Sequence, residues 1–266
     1  MELILAASEC DPAEEIICVP ASVNELFELP FVGGVNRTMI LIGLAALIVI
    51  ALLWFGLRRR SLVPSKFEAA IEALVVYIRD EVAVGIIGPK DGATFFPYLL
   101  AIFMFILVGN LFEISPLINF PITSRIALPA FMALLTWVIF IVMGFKRQGL
   151  AYVGHIVWPP GVPTGLKPLV GIIEFVSVFL IRPFSLAVRL FANLVAGHVM
   201  LTLLLVSGYV FITSVGDIGA KALVGVGWFA LGLGIYAFEL LVAVLQAYIF
   251  TLLSAVYIQT SVHPEH

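Results

Sequence analysis

Five segments of the chain are long and almost free of charge, and they constrain the fold more than any other feature. A helix needs about 20 apolar residues to cross the hydrocarbon core of a bilayer. The segments are Thr38–Leu57, Phe95–Phe112, Ile126–Phe145, Pro168–Gly216 and Ala222–Val262. Neither of the two longest contains a polar turn that would divide it, so each is predicted to cross once as a long, tilted helix. The pattern therefore predicts five crossings.

The composition agrees with a membrane environment. Hydrophobic residues make up 62% of the 266 positions and charged residues only 12%, whereas soluble domains are about 45–50% apolar. A soluble protein of this size cannot enclose that much apolar side chain, so lipid must solvate much of its surface. We therefore predict an all-α, polytopic membrane protein. No basic patch with interleaved aromatic residues is present, which argues against nucleic acid as a partner.

Basic residues are distributed unevenly between the segments that join these spans. Six follow the first span and three follow the third, which makes nine on one side of the membrane against three on the other. The nine are Arg58, Arg59, Arg60, Lys66, Arg79, Lys90, Lys146, Arg147 and Lys167, and the three are Arg37, Arg125 and Lys221. Because basic loops stay in the cytoplasm, the amino terminus is predicted outside and the carboxyl terminus inside. Residues 1–37 are then an outside segment, and residues 38–266 a single membrane domain.

The connections between spans have their own patterns. In 64–87 apolar residues recur at helical spacing among charged ones, which predicts an amphipathic helix. The helix is expected on the cytoplasmic surface of the bilayer, and packing against a soluble partner is the open alternative. The segment Arg147–Lys167 is rich in Gly and Pro and is interpreted as an irregular connector. Cys10 and Cys18 both lie in the outside segment, where a disulfide and two free thiols remain open alternatives.

Arg189 lies far from both ends of the fourth span, so its side chain cannot easily reach either membrane surface. A charge in this position faces protein, water or a counter-ion, and it indicates function unless it forms a salt bridge to a neighbouring helix. At 100° per residue one stripe of the helix is polar or small, and its members are Arg182, Ser185, Arg189, Asn193 and Ala196. In the last span two glycine rows, Gly225 with Gly232 and Gly227 with Gly234, predict close approach of another backbone.

Two motifs carry a family resemblance. The run Arg189–His198 reads RLFANLVAGH, with Pro183 and Ser185 before it, and Leu245–Phe250 near the end reads LQAYIF. Together they resemble subunit a of F-type ATP synthases, and the resemblance extends over essentially the whole chain. It implies that the last two helices lie tilted against a rotating ring of c subunits.

The resemblance also implies roles for individual residues. Arg189 corresponds to the arginine that meets the ring carboxylate and separates two aqueous half-channels, with Asn193 and Gln246 as its polar neighbours. His198 and Glu239 correspond to a pair in the outer half-channel, and Glu174 to an acidic residue of the inner one. The residues expected to face the c ring are Ser185, Arg189, Asn193 and Ala196.

The sequence assigns no definite role to two ionisable residues of the spans. Glu113, at the outer end of the second span, is interpreted as an interfacial carboxylate that could line the mouth of the channel. Arg182 belongs to the polar stripe, but the resemblance assigns it no function.

The resemblance implies a proton-conducting, non-catalytic stator subunit that couples proton flow to rotation of the ring and to ATP synthesis. Its expected partners are the c ring, the b-subunit peripheral stalk, the rest of the F1Fo complex and the lipid bilayer. The expected location is a bacterial cell membrane, in preference to an organellar inner membrane. No phosphate-binding loop, metal cluster or nucleophile–base pair is visible, so no cofactor or metal is expected. A stand-alone cation channel or secondary transporter is the alternative, and H⁺ is preferred to Na⁺ as the ion.

Overall fold

The computed structural model describes residues 16–18, 31–32, 35–58, 64–115, 118, 120, 122–123, 125–158, 163, 165–214, 219 and 222–263. Most of the predicted outside segment, including Cys10, lies outside the described residues, as do Arg59, Arg60 and Lys221 of the basic residues counted above. The described part of the chain is predominantly helical.

Within the described residues, eight α-helices and two π-helical segments follow a short antiparallel strand pair, Phe31–Val32 with Val35–Asn36. The helices are α1 Arg37–Arg58, α2 Lys66–Tyr77, α3 Pro89–Ile114, α4 Ala127–Gln148, α5 Ala151–Val157, α6 Lys167–Val176, α7 Arg182–Thr213 and α8 Ala222–Val262. The π-helical segments, Ile78–Ile87 and Ser177–Ile181, continue α2 and join α6 to α7.

In the part of the chain that the structure describes, five helical stretches are long and apolar enough to cross a membrane, which confirms the predicted all-α membrane architecture. The fourth runs through α6, the π-helical segment and α7 as Lys167–Thr213, and the fifth is α8. Much of the surface of these spans is apolar, with Leu47, Trp54 and Phe131 among the exposed large side chains. Lipid is the solvent that suits such a surface. The chain is therefore a multi-pass membrane protein.

The second span begins earlier than its apolar stretch predicted, at Pro89 rather than Phe95. Proline suits the first position of a helix because its missing N–H would have no intrahelical partner there. Asp91 in the first turn is favourable beside the positive end of the helix dipole, and Arg147 and His263 both pair with its carboxylate. Helical structure thus extends into the charged residues that flank the apolar core.

Two compact units make up the chain. Unit 1 comprises Met1–Gly43, Gly109–Ser124 and Ala192–Leu245, and unit 2 comprises Leu44–Val108, Arg125–Phe191 and Gln246–His266. That residues 38–266 form a single membrane domain stays a prediction.

The surface helix of unit 2 begins at a capping box. The Ser65 hydroxyl accepts a hydrogen bond from the Glu68 N–H at 3.3 Å, and the Glu68 carboxylate accepts one from the Ser65 N–H at 2.8 Å. This exchange satisfies two amides that the first turn would leave without partners. Ile71 packs against Gly56 of α1, where an added Cβ would lie 2.7 Å from the Ile71 side chain. The predicted helix over 64–87 is confirmed, although its second half is π-helical.

The prediction of an irregular connector over Arg147–Lys167 is wrong for part of that segment, because α4 extends to Gln148 and α5 occupies Ala151–Val157. Tertiary contacts of Tyr152 hold the helix α5 in place. Its ring packs on Gly144, and its hydroxyl lies 3.2 Å from the Ser261 hydroxyl. Burial raises the pKa of the Tyr152 phenol, which keeps it neutral. These tertiary contacts outweigh the local Gly and Pro composition.

Gly171 provides a test of this packing, since a Cβ at that position would overlap the Val157 carbonyl. We expect Gly171→Ala to destabilise unit 2 by about 1–3 kcal/mol, because neither helical backbone can move without loss of other contacts. The measurement is thermal unfolding of the purified protein in detergent. Gly154→Ala is the matched control, because nothing lies within 4 Å of that position, and it should unfold at or above the original temperature. Equal stability of the two variants would contradict the close approach of α5 and α6.

Candidate functional site

Three ionisable side chains are buried in unit 1, one from each of three helices. Glu113 of α3 is 2% exposed, His198 of α7 is 4% exposed and Glu239 of α8 is 7% exposed. The His198 Nδ1 atom lies 3.9 Å from the Glu113 Oε1 atom. Such groups are rare inside a membrane protein and mark functional positions when they occur. We call these three residues the histidine–carboxylate cluster.

Glu239 reaches this cluster because Gly197 precedes His198. A Cβ at Gly197 would lie 2.5 Å from the Cδ atom and from both oxygens of the Glu239 carboxyl group. Only a residue without a side chain leaves room for the carboxylate against the backbone of α7. The Glu113 and Glu239 carboxylates also lie within electrostatic reach of each other.

Several buried polar atoms of unit 1 have no hydrogen-bond partner among the described residues. They are Asn110 Oδ1, Glu113 Oε1, Thr123 Oγ1 and Asn193 Nδ2. The Asn110 amide nitrogen donates to the Ala243 carbonyl at 3.2 Å, so only its oxygen lacks a partner. Buried polar atoms are normally satisfied by protein or by internal water. The Glu113 oxygen of the cluster and the Asn110 oxygen, three residues earlier on α3, are therefore suited to binding water.

Arg189 of unit 2 is exposed, although it lies well inside the fourth span. Leu186, Ala187 and Leu190 beside it are buried. The arginine is therefore on the face of its helix that points away from the rest of the chain. A guanidinium there must meet water or the polar group of a partner, because lipid cannot solvate it. Ser185 of the predicted stripe is half-buried, and its hydroxyl donates to the Arg182 carbonyl at 3.3 Å.

The other predicted residues of the stripe belong to unit 1. Ala196 is exposed and Asn193 is half-buried. Gln246 of unit 2 is 6% exposed, and its Nε2 atom has no hydrogen-bond partner within the described part of the chain. A buried amide in that condition is suited to hydrogen bonding with water.

Glu174 of unit 2 has a specific partner, which is Arg182. Their charged groups are 3.7 Å apart, and the glutamate side chain is partly exposed. The Arg182 guanidinium also lies 5.2 Å from the centre of the Tyr257 ring and 3.4 Å from the Thr260 hydroxyl, both on α8. Arg182 thus joins the fourth and fifth spans in unit 2 and holds a negative charge beside them.

The two glycine rows of α8 differ in their surroundings. An added Cβ would lie 2.6 Å from Phe211 at Gly225 and 2.8 Å from Leu205 at Gly232, so this row packs against α7. At Gly227 and Gly234 nothing lies within 4 Å. The prediction of a close backbone approach is therefore confirmed within the chain for one row, and the other row is open.

Reasoning from the sequence did not assign roles to Glu113, Asn110 and Arg182. Asn110 and Glu113 are three residues apart, so they share one face of α3, and that spacing is a signal for a polar face. Glu113, interpreted from the sequence as an interfacial carboxylate, is buried beside His198. Arg182 was recognised on the polar stripe, but its pairing with Glu174 depends on the fold. No group of three or more His, Cys, Asp or Glu side chains suited to a metal ion occurs within the described ranges.

Comparison of the sequence with known proteins identifies the family of this chain. A sequence profile described as "ATP synthase A chain" matches residues 39–259. The chain is 37% identical to ATP synthase subunit a of Frankia alni, over 95% of its own length and 92% of the relative. It is 38% identical to ATP synthase subunit a of Gluconacetobacter diazotrophicus, over 89% of this chain and 94% of that one. With the protein of the same name from Gluconobacter oxydans it shares 39% identity, over 82% and 85% of the two chains. The chain therefore belongs to the ATP synthase subunit a family, and it is a stator subunit in the membrane part of that complex.

Proposed function

We propose that this chain conducts protons through two aqueous half-channels, which lead to and from the carboxylates of a rotating c ring. Proton flow through them drives the ring and thereby ATP synthesis. The observation that carries the proposal is an exposed arginine, Arg189, within a membrane span. Such a charge is stable in a membrane only if a partner of opposite charge or water meets it.

Arg189 is the group proposed to meet each ring carboxylate. A carboxylate that passes through lipid is protonated, because a bare charge there is costly. Beside a fixed guanidinium the ionised form becomes favourable, and the proton leaves. The same positive charge opposes direct passage of protons between the half-channels. Ser185, Asn193 and Ala196 are proposed to face the ring with it, since small and polar side chains allow close approach of another helix.

The outer half-channel is proposed to contain the histidine–carboxylate cluster. Histidine titrates near neutral pH, and a glutamate beside it can accept and return a proton. His198 and Glu239 were predicted as the pair, and the separation of 3.9 Å between His198 and Glu113 supports a third member. The Glu113 and Asn110 oxygens, which have no hydrogen-bond partner among the described residues, support water beside the cluster.

The inner half-channel is proposed to include Glu174, with Asn193 and Gln246 as polar groups near the arginine. The partial exposure of Glu174 and its ion pair with Arg182 support access to water together with a fixed position. The Gln246 amide without a protein partner supports water at that position too.

The proposed partners are the c ring and the b-subunit peripheral stalk. We propose a bacterial cell membrane as the location, with the amino terminus outside and the carboxyl terminus in the cytoplasm, because nine basic residues lie on one side against three. The chain is proposed to be non-catalytic, so ATP chemistry takes place on other subunits.

Arg189→Lys tests the central role. Lysine keeps a positive charge but loses the planar, delocalised guanidinium, and it can lose its proton when desolvated. We expect ATP-driven proton pumping in inverted membrane vesicles to fall by at least about tenfold, while the complex still assembles. Arg125→Lys is the control, because Arg125 is also exposed but is assigned no role, and it should pump normally. Normal pumping by Arg189→Lys would refute the assignment.

Glu113→Gln tests the third member of the cluster. The change replaces the ionisable carboxyl group beside His198 with a neutral amide of the same size, so proton exchange with His198 and Glu239 should change. We expect slower proton pumping and a shifted pH profile, measured in vesicles over a pH series. Glu72→Gln on the exposed face of α2 is the matched control and should leave the profile unchanged. An unchanged profile for Glu113→Gln would exclude Glu113 from the path.

The orientation can be tested with single cysteines at Lys146 and Arg125, which are both exposed. A membrane-impermeant maleimide should label Lys146→Cys only from the cytoplasmic side and Arg125→Cys only from the outer side. Labelling of the unaltered chain gives the background signal from its own cysteines. The reverse pattern would overturn the proposed topology.

A further inference from the structure

Three residues near the amino terminus contact both of the last helices in unit 1. The Cys18 N–H donates a hydrogen bond to the Ser207 hydroxyl of α7, with 2.8 Å between the nitrogen and the oxygen. The Trp228 indole N–H of α8 donates to the Ile16 carbonyl at 3.0 Å. This short stretch of chain is thus bonded to α7 at Cys18 and to α8 at Ile16.

Burial of Cys18 makes this attachment specific. Cys18 is 2% exposed and packs in a cluster with Val206, Val210 and Phe211 of α7. A buried backbone N–H requires a hydrogen-bond partner, and the buried hydroxyl of Ser207 provides it. Cys18 is also disulfide-bonded, and Cys10 is the only other cysteine of the sequence. A disulfide restricts the alternative conformations of the chain segment that it closes.

The attachment lies at a close approach of α7 and α8. A Cβ at Gly208 would lie 2.8 Å from the Phe229 amide nitrogen, and one at Gly225 would lie 3.0 Å from the Ile212 amide nitrogen. Ser207 and Trp228 are neighbours of Gly208 and Phe229 in the sequence. A change in the attachment therefore acts on a tightly packed contact between the backbones of α7 and α8, which cannot adjust locally.

Both helices continue without interruption from this contact to the histidine–carboxylate cluster. Ser207 follows His198 by nine residues and Trp228 precedes Glu239 by eleven, which corresponds to roughly 13 Å and 16 Å along the helices. A change in the separation of α7 and α8 at the attachment would thus alter the positions of His198 and Glu239. The titratable groups that face one another there are Glu113 from α3, His198 from α7 and Glu239 from α8.

We propose that Ile16–Cys18 is a disulfide-stabilised clamp on α7 and α8, and that Ser207 and Trp228 are positioning residues for the outer proton path. This inference rests on the proposed function of His198 and Glu239 in that path. The clamp holds the two helices at one separation, so that the imidazole and the carboxylates exchange protons at a constant geometry. A chain end that merely covers apolar surface would affect stability but not the pH dependence of transport.

The first experiment uses the complete ATP synthase in inverted membrane vesicles, with Ser207→Ala, Ser207→Thr and Trp228→Phe. ATP-driven proton pumping is measured over a pH series and normalised to the amount of assembled complex. Loss of the buried hydrogen bond to Cys18 should lower the pumping rate per complex by about two- to tenfold for Ser207→Ala. Trp228→Phe, which loses the more exposed hydrogen bond to Ile16, should lower the rate by a smaller factor. The pH profiles of both variants should shift in the same direction, and Ser207→Thr, which keeps the hydroxyl, should restore both rate and profile.

The second experiment separates the disulfide from the hydrogen bonds. Cys10→Ser removes the disulfide but leaves Cys18 and its N–H in place. It should shift the pH profile in the same direction as Ser207→Ala. Treatment of the original complex with a thiol reductant should reproduce this shift, while the reductant should not change Cys10→Ser further. An equal response of both proteins to the reductant would overturn the role of the disulfide.

Two results would overturn the clamp. Either Ser207→Ala and Trp228→Phe pump with the original rate and pH profile, or they lower only the amount of complex and leave the profile unchanged. If Glu239→Gln loses pumping in the same assay, the proposed outer path still stands and only the clamp is wrong. If Glu239→Gln pumps normally, the proposed path itself is wrong, and the clamp falls with it.

Discussion

An ionisable side chain within a membrane is costly unless water, a counter-ion or a hydrogen-bonding partner meets it, and the arrangement of this protein depends on that constraint. The spans carry few such groups, and these groups differ in whether they are buried or exposed. Glu113, His198 and Glu239 are buried together in unit 1. Arg189 remains exposed. The first arrangement provides partners from within the chain, whereas the second leaves a positive charge for a partner outside it.

Close helix packing is what brings the buried groups together. Gly197 allows the Glu239 carboxylate to lie against the backbone of α7, and Gly208 with Gly225 allows α7 and α8 to approach farther along the pair. Any larger residue would separate the helices, because neither backbone can yield locally. The polar cluster therefore depends on glycines that carry no chemistry of their own. The amino-terminal clamp would act on the same helix pair, so stability and proton transfer would share one set of contacts.

Unit 2 shows a related use of charge at a more accessible position. Arg182 pairs with Glu174 and also contacts Tyr257 and Thr260 of α8. The arginine can serve both helices because its planar guanidinium offers several donors and an aromatic-stacking face. Exposed ion pairs contribute little to stability on their own. The Arg182–Glu174 pair therefore matters more for holding the Glu174 carboxylate in position than for stabilising the fold.

Hydropathy and helical periodicity, which are local properties, determined the five crossings and the surface helix from the sequence alone. The same periodicity placed Arg189 on a polar stripe, and two short motifs were enough to indicate the family. Only the tertiary structure decided that Glu113 is buried beside His198, that Arg182 pairs with Glu174, and that one glycine row packs while the other stays open. It also includes a helix in a segment rich in Gly and Pro, and a hydrogen bond between Cys18 and Ser207. These features join residues that are far apart in the chain, and their contacts depend on how helices pack, which no local pattern encodes.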